Sequence, residues 1–294
     1  MRIIERMAAR RPFLSLEFFP PRDRESWPKF FAEVEKLKAL NPLFVSVTYG
    51  SGGGTQANTL DVVAHIKREM DLEPMAHLTC VGASGEALHG FLTAIADLGI
   101  DNVLALRGDP PKNRPDFSFE GQQFRHASDL VEFIRRHYPK MGVGVAGYPE
   151  IHPESPSFRE DLRFMKHKLD CGGEFVVTQL FFDNRIYFNY VERLRELGAT
   201  APVIPGILPV MSIKSAKHIL SLGGPVPGRF LLALEKAFEQ GGDAEVKRYG
   251  IEYATRQVQG LIDGGAPGVH LYTLNQAEAC LGIAKNVTLA RSKG

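Results

Sequence analysis

Eight times along this chain a short, almost wholly apolar run gives way to a segment whose apolar residues recur every three or four positions. The runs are Phe13–Phe19, Phe44–Tyr49, Met75–Cys80, Asn102–Leu106, Val143–Tyr148, Phe175–Phe182, Val203–Leu208 and Val269–Leu274. Between them lie helical stripes such as Trp27, Phe30, Phe31, Val34 and Leu37, or Leu88, Leu92, Ile95 and Leu98. Each switch from period 2 to period 3.6 marks a βα unit. Strands with no polar face are buried on both sides, so eight such units predict an α/β fold of the (β/α)8 TIM-barrel type. The 294 residues slightly exceed the ~250 of such a barrel. The surplus falls between strands seven and eight, where the spacing predicts extra helices over Ile213–Leu222, Phe230–Phe238 and Ala244–Ile262, before a closing helix over Ala277–Leu289. The competing architecture, an open doubly wound sheet, usually has a Gly-rich first turn, and here that turn is Phe18-Phe19-Pro20-Pro21-Arg22. No shift in composition interrupts the pattern, so residues 1–294 are read as a single catalytic domain.

Composition excludes several classes of function. A net charge of +1 offers no electrostatic footprint for nucleic acid or a membrane surface. No apolar run approaches the ~18 residues of a membrane span, and Met1–Arg11 carries four arginines with no apolar centre, unlike a secretory signal. Cys80, Cys171 and Cys280 are far apart and form no CxxC pair; they read as buried free thiols in a reducing cytoplasm, and no metal is expected.

Barrel enzymes work at the C-terminal ends of their strands. At those ends stand Glu17, Thr48, His77 with Thr79, Arg107 with Asp109, Tyr148, Gln179, and Asn275 with Gln276. Glu17 leaves an apolar strand that stops at Pro20-Pro21; an unpartnered carboxylate there would be costly, so it must be paired, protonated or reactive. Absent chemistry narrows the choice. No strand end carries the lysine of a Schiff-base aldolase. No His or acidic pair stands at metal-ligand spacing, and His65, His89, His126, His137, His167, His218 and His270 read as structural. Glu17 and Asp109 could serve as the two carboxylates of a glycosidase-like hydrolase. The run Gly50-Ser51-Gly52-Gly53-Gly54 reads as a flexible βα loop, because a dinucleotide fingerprint would need glycine at Thr55.

Eight segments in order, LEFFPPR from Leu16, FVSVTYG from Phe44, AHLTC from Ala76, LALRGDPP from Leu104, GYPEIHPE from Gly147, TQLFFD from Thr178, IPGILPV from Ile204 and YTLN from Tyr272, resemble the methylenetetrahydrofolate reductases, flavin enzymes of one-carbon metabolism. The resemblance runs from end to end and is to the bacterial type that consists of the catalytic barrel alone. It implies non-covalently held FAD, NADH or NADPH as co-substrate, a folate substrate, a cytoplasmic homo-oligomer, and interconversion of 5,10-methylenetetrahydrofolate and 5-methyltetrahydrofolate. The family's general acid falls on Glu17, where burial at an apolar strand exit should raise the carboxyl pKa as that role needs. Asp109 matches the aspartate that meets the pterin near the flavin, and Gln179 the glutamine that hydrogen-bonds the pterin. Thr48, Tyr49, His77, Arg107, Gly108, Asp109, Tyr148, His152, Asp161 and Lys168 fall on cofactor-contacting positions.

Three positions depart from the family pattern. Ile219 stands where a stacking aromatic is usual, Ser215 where a glutamine is, and Gln276 where a basic residue is. Ser215 and Gln276 remain candidate substrate-binding residues. The departures leave the flavin and pterin chemistry intact and weaken the usual nicotinamide and folate-tail contacts. They leave open a different electron donor, or the same path run in the oxidative direction.

Overall fold

The computed structural model describes residues 1–49, 56–111, 114 and 116–289. The glycine run from Gly50 to Gly54 therefore lies outside the described residues, as do Lys112, Asn113 and Pro115 of the long loop after the fourth strand. The chain opens with a helix that the period analysis does not anticipate, Ile3–Ala9 (α1). Strands Leu14–Phe18 (β1), Val45–Val47 (β2), Pro74–Thr79 (β3), Asn102–Leu106 (β4), Gly142–Gly147 (β5) and Phe175–Thr178 (β6) follow. They alternate with helices Trp27–Lys38 (α2), Gln56–Glu69 (α3), Gly85–Asp97 (α4), Ala127–His137 (α5), Phe158–Asp170 (α6) and Asn184–Glu196 (α7). Val203–Ile204 (β7) and Gly206–Ile207 (β8) come next, then Ile213–Ser221 (α8), Gly228–Asp263 (α9), Val269–Tyr272 (β9) and Ala277–Lys285 (α10). No described helix is long and apolar enough to cross a membrane.

All the pairings are parallel, and the strands run in the order β7-β6-β5-β4-β3-β2-β1-β9-β8. The two ends of that list are one interrupted strand. The single seventh strand expected from the sequence is broken by Pro205, whose nitrogen has no proton for a ladder. On one side of the proline Val203 and Ile204 pair with Val176 and Val177; on the other Gly206 and Ile207 pair with His270 and Leu271. Counting β7 and β8 as one closes the sheet into the expected eight-position barrel. Residue 206 has to be glycine, because a Cβ there would stand 2.2 Å from the Thr178 carbonyl oxygen. Its N–H donates to the Thr178 hydroxyl at 2.9 Å.

Two other boundaries differ from expectation. β6 stops at Thr178, and Phe181 and Phe182 turn into packing among the outer helices. α10 ends at Lys285, short of Leu289. Helix α9 is two helices joined at Gly241 and Gly242, the latter at φ 64°, which matches the two segments expected there.

Period 2 divides the strands into an outer and an inner face. On β1, Leu14, Leu16 and Phe18 join the large apolar layer beneath the helices, with Phe18 edge-on to Phe30 of α2 at 5.8 Å. Ser15 and Glu17 occupy the opposite face, so β1 does have a polar side, and that side is the barrel interior. The lower interior is filled by Phe13, Phe44, Met75, Leu104, Phe175, Val177 and Ile204, and α1 closes it with Ile3 and Met7. The backbone N–H of Ile3 donates to Asn102 Oδ1 at 2.7 Å. Buried Glu73 is met by Lys67 at 3.1 Å and Arg6 at 3.6 Å. This sealed base leaves the opposite, C-terminal rim as the place for chemistry. Gly206→Ala should destabilise the protein by about 1–3 kcal/mol, since the added methyl meets a backbone oxygen that cannot swing away; the urea unfolding midpoint measures it.

Candidate active site

β1 carries Glu17 one residue before its end, level with Ser46 of β2 and Tyr272 of β9 in the ladder. Three strands supply groups that converge on one oxygen of its carboxylate. Ser46 Oγ donates to Oε2 at 3.2 Å, His270 Nε2 lies 3.3 Å from it, and His77 Nε2 lies 3.4 Å from it. Oε1 takes none of these contacts. His270 is fully buried, stacked on Phe44 at 5.7 Å and edge-on to Tyr272 at 5.6 Å. Its Nδ1 is 2.8 Å from Ser15 Oγ. A carboxylate only accepts, so Nε2 of His270 carries the proton toward Glu17. Nδ1 then either accepts from the Ser15 hydroxyl or, in the cation, donates to it.

This seat overturns the expectation that Glu17 has a raised pKa. Burial does push the carboxyl up, but the charge of His77 and the hydrogen bonds and charge of the two histidines outweigh it. The carboxyl is held well below the usual carboxylate range. In this seat Glu17 is an acceptor. Tyr272, above the same floor, donates to the Thr178 carbonyl at 2.7 Å, and its hydroxyl is pushed far up by burial first and by Glu17 and Tyr148 next.

Tyr148 belongs to a second group, built from the exits of β4 and β5 and from α6. Gly108 follows β4 at φ 86°, a left-handed conformation that favours glycine, and a Cβ there would also come within 2.6 Å of Val81. The guanidinium of Arg107 lies over Phe119 at 4.5 Å and donates twice to Glu154, at 2.5 and 2.8 Å. The N–H of Glu154 donates to His152 Nδ1 at 3.1 Å, and the His152 ring meets Tyr148 edge-on at 4.5 Å. The Ser157 hydroxyl caps the start of α6, accepting from Glu160 N–H at 3.2 Å. Asp161 and Lys168, two turns apart on α6, share a face. Asp161 accepts from Ser155 Oγ at 2.8 Å and from His152 N–H at 3.3 Å. Lys168 donates to the Ala146 carbonyl at 2.6 Å. Burial brings its ammonium down to about 8, with Asp161 opposing. Exposed Asp109 adds its charge near Arg107 and Tyr148.

The remaining expected site residues are dispersed. Thr48 follows β2, its N–H donating to the Phe18 carbonyl at 2.9 Å. Tyr49 turns to the helical layer, edge-on to Phe91 of α4 at 5.6 Å. Gln179 is exposed at the exit of β6, its own amide oxygen accepting from Leu180 N–H at 2.9 Å. Asn275 clamps the exit of β1, accepting from Phe19 N–H and donating to Phe19 O at 3.1 and 2.8 Å. Ser215 is committed to the capping box of α8 with Ser212, and Ile219 packs inward among Phe182, Val226 and Phe230. Gln276 is the exposed residue that starts α10.

Sequence reasoning missed Ser15, Ser46 and His270, the last read as structural. The available signal was polar residues two apart on otherwise apolar strands: Ser15 with Glu17, Ser46 with Thr48, His270 with Tyr272. Cys171, expected to be buried like Cys80 and Cys280, is half-exposed.

A family model described as methylenetetrahydrofolate reductase matches residues 2–288. The chain is 36% identical over 307 residues to the probable methylenetetrahydrofolate reductase (NADH) of Oryza sativa subsp. japonica, covering 98% of this chain and 51% of that protein. It is 35% identical over 272 residues to the 5,10-methylenetetrahydrofolate reductase of Salmonella typhimurium, covering 92% and 88% respectively. The chain thus spans about half the length of the plant relatives and most of the bacterial one. Among solved structures, an uncharacterized protein from Clostridium thermocellum that binds two copies of 5-methyl-5,6,7,8-tetrahydrofolic acid superposes with a TM-score of 0.68. That match covers 97% of this chain and 98% of the other at 12% identity, a likeness of fold alone.

The lowered carboxyl of Glu17 has a consequence for stability. What it contributes is present above the ordinary glutamate value of about 4.3 and is lost as the pH falls toward the lowered one. Glu17→Gln should therefore be less stable than the parent near neutrality, and the gap should narrow below about pH 4. Urea midpoints measured across that range check it; a gap that does not change with pH would refute the ion-paired seat.

Proposed function

The chain belongs to the methylenetetrahydrofolate reductase family, and we propose that it reduces 5,10-methylenetetrahydrofolate to 5-methyltetrahydrofolate with bound FAD and with NADH or NADPH as co-substrate. The observation that carries this reading is the seat of Glu17: one carboxylate at the barrel rim, with Ser46 Oγ, His270 Nε2 and His77 Nε2 from three other strands within 3.4 Å of one oxygen.

Opening the five-membered ring of the substrate requires a proton on a nitrogen, and Glu17 is the residue we assign to deliver it. Its carboxylate is compatible with that role because His270 Nε2 and His77 Nε2, within 3.4 Å of its Oε2, form with it one unit through which a proton can pass. A planar substrate covering the rim displaces water from this unit. Charge separation between carboxylate and imidazolium is then less favourable than the neutral pair, so a proton that reaches either imidazole passes on to Glu17 and leaves the ring neutral. Histidine is thus the relay and glutamate the donor. Ser15 and Ser46 hold the two nitrogens of the His270 ring, at Nδ1 and Nε2 respectively.

The second group suits a cofactor that carries phosphates and ribose. Arg107 and Lys168 supply cationic donors, and an anionic partner would favour the charged form of a lysine that burial has brought down to about 8. Buried Asp161 and half-buried Tyr148 and His152 offer polar contacts, and Gly108 makes the turn that brings Arg107 and Asp109 to the rim. Thr48 and His77 would complete the contacts along the rim. When bound there, FAD supplies the hydride that the folate receives. Asp109 and Gln179, both exposed beside these groups, are free to meet the pterin. Ser215 and Ile219, taken up by capping and packing, are poorly placed to replace the family's glutamine and aromatic. The nicotinamide and folate tail must be held by other contacts on that side.

Purified protein should be yellow or become so with FAD. In stopped-flow work NADH or NADPH should bleach the flavin, and methylenetetrahydrofolate should restore its colour. Glu17→Gln should slow the folate step by about 10²- to 10⁴-fold, the usual worth of a positioned proton donor, while leaving flavin reduction near the parent rate. Failure to take up FAD would overturn the flavin reading, and normal folate reduction by Glu17→Gln would overturn the role of that residue.

A further inference from the structure

On the outer wall of the barrel, α5 and α6 bring a glutamate, a histidine and a cysteine together. Helices return from rim to base, so the C-terminal end of α6 lies at the base end of the wall, and the group is separate from the residues at the strand exits. His167 and Cys171 stand four residues apart, on one face of α6 and at its end, and Glu132 reaches them from α5. Cys171 Sγ is 3.2 Å from Glu132 Oε1 and 3.7–3.8 Å from the ring nitrogens of His167. All three ligand atoms lie within 4.8 Å of one another. A tetrahedral ion with bonds of about 2.0–2.3 Å holds its ligands about 3.3–3.8 Å apart, so small side-chain rotations would complete the geometry.

We propose that Glu132, His167 and Cys171 bind a divalent cation of the zinc class, with water in the fourth position. A mixed sulfur, nitrogen and oxygen set selects borderline-soft ions; magnesium and calcium would want oxygen alone. The site is held in place from behind. Arg135, one turn along α5 from Glu132, donates to the Gly172 carbonyl at 2.8 Å and to the Met141 carbonyl at 2.7 Å. It thereby fixes the residue next to Cys171 against α5. Asp129 and Asp170 add negative charge around the thiol, and Lys166 is already paired with Asp170 at 2.5 Å. Without an ion the thiol donates to Glu132. Binding replaces that S–H bond with a sulfur–metal bond, and the displaced proton leaves to solvent. The ion would staple α6 to α5 whatever reaction takes place at the rim. Because the ligands come from two helices and Glu132 and Cys171 are 39 positions apart, no spacing rule in the sequence reveals the set.

Equilibrium dialysis of the full-length, FAD-saturated protein against zinc chloride in a non-chelating buffer, with metal content read by atomic emission, tests the proposal. One equivalent per chain should be retained in the presence of excess magnesium. Cys171→Ser should retain none. His167→Ala should bind more weakly by at least the roughly 10- to 100-fold that loss of a supporting outer partner costs at metal sites. Cys80 and Cys280 are fully buried and should not contribute. Zinc should also raise the melting temperature of the parent and leave that of Cys171→Ser unchanged. Sub-stoichiometric retention by the parent, or equal retention by parent and Cys171→Ser, would overturn the site.

Discussion

A carboxylate placed inside a barrel must be met by donors from the strands beside it, because burial without partners costs several kcal/mol. Glu17 meets that demand with Ser46 from β2, His77 from β3 and His270 from β9. Much of the surrounding structure follows. The register that sets Glu17 level with Ser46 and Tyr272 also sends Leu16 and Phe18 outward, where α2 packs on them. A shift of one residue would exchange the two faces, burying leucine where the site needs a carboxylate and exposing the acid to an apolar layer. The alignment that builds the hydrophobic layer is therefore the one that builds the site.

The two ends of the barrel solve the same problem in different ways. At the base, Glu73 is buried and ringed by Lys67, Arg6 and Asn102, and α1 shuts out water. Its counter-charges are strong, numerous and permanently cationic, and the result is structural. At the rim, the partners of Glu17 are imidazoles and hydroxyls, which can give a proton as well as hold one. The same acidic side chain is locked among fixed cations at one end and set among groups that can exchange a proton at the other.

The barrel was legible in the sequence because both of its periods are written in side-chain character: apolar strands on one, amphipathic helices on the other. The boundaries that went astray were decided by contacts with no local signature. Pro205 is visible, but its effect, sending one strand to two partners, depends on closure. Phe181 and Phe182 look like strand residues and are claimed by the outer helices instead. α1 is too short to show a clear stripe, yet Ile3 and Met7 are fully buried because an open barrel end has to be filled. In the site, Glu17, His77, Arg107, Tyr148, His152, Asp161 and Lys168 could be located from strand ends and motif resemblance. The pKa of Glu17 could not, since burial alone would raise it and the reversal comes from His77 first and then from His270, more than 250 positions away and 3.3 Å distant.

The break at Pro205 has a mechanical side. Along most of its circumference the cylinder is joined by backbone ladders, which stretch little. At the line between β6 and β9, above the proline, the joint is made by side chains: the Thr178 hydroxyl takes the Gly206 N–H, and the Tyr272 hydroxyl reaches the Thr178 carbonyl. Side chains rotate where ladders do not, so the barrel is stiff at the plugged base and compliant along one line of its rim. That line runs beside Tyr272, between the proton-holding group and the exit of β6 where Gln179 stands. The side-chain joint of the barrel therefore falls beside the candidate site, where rotation of Thr178 or Tyr272 alone would loosen the rim.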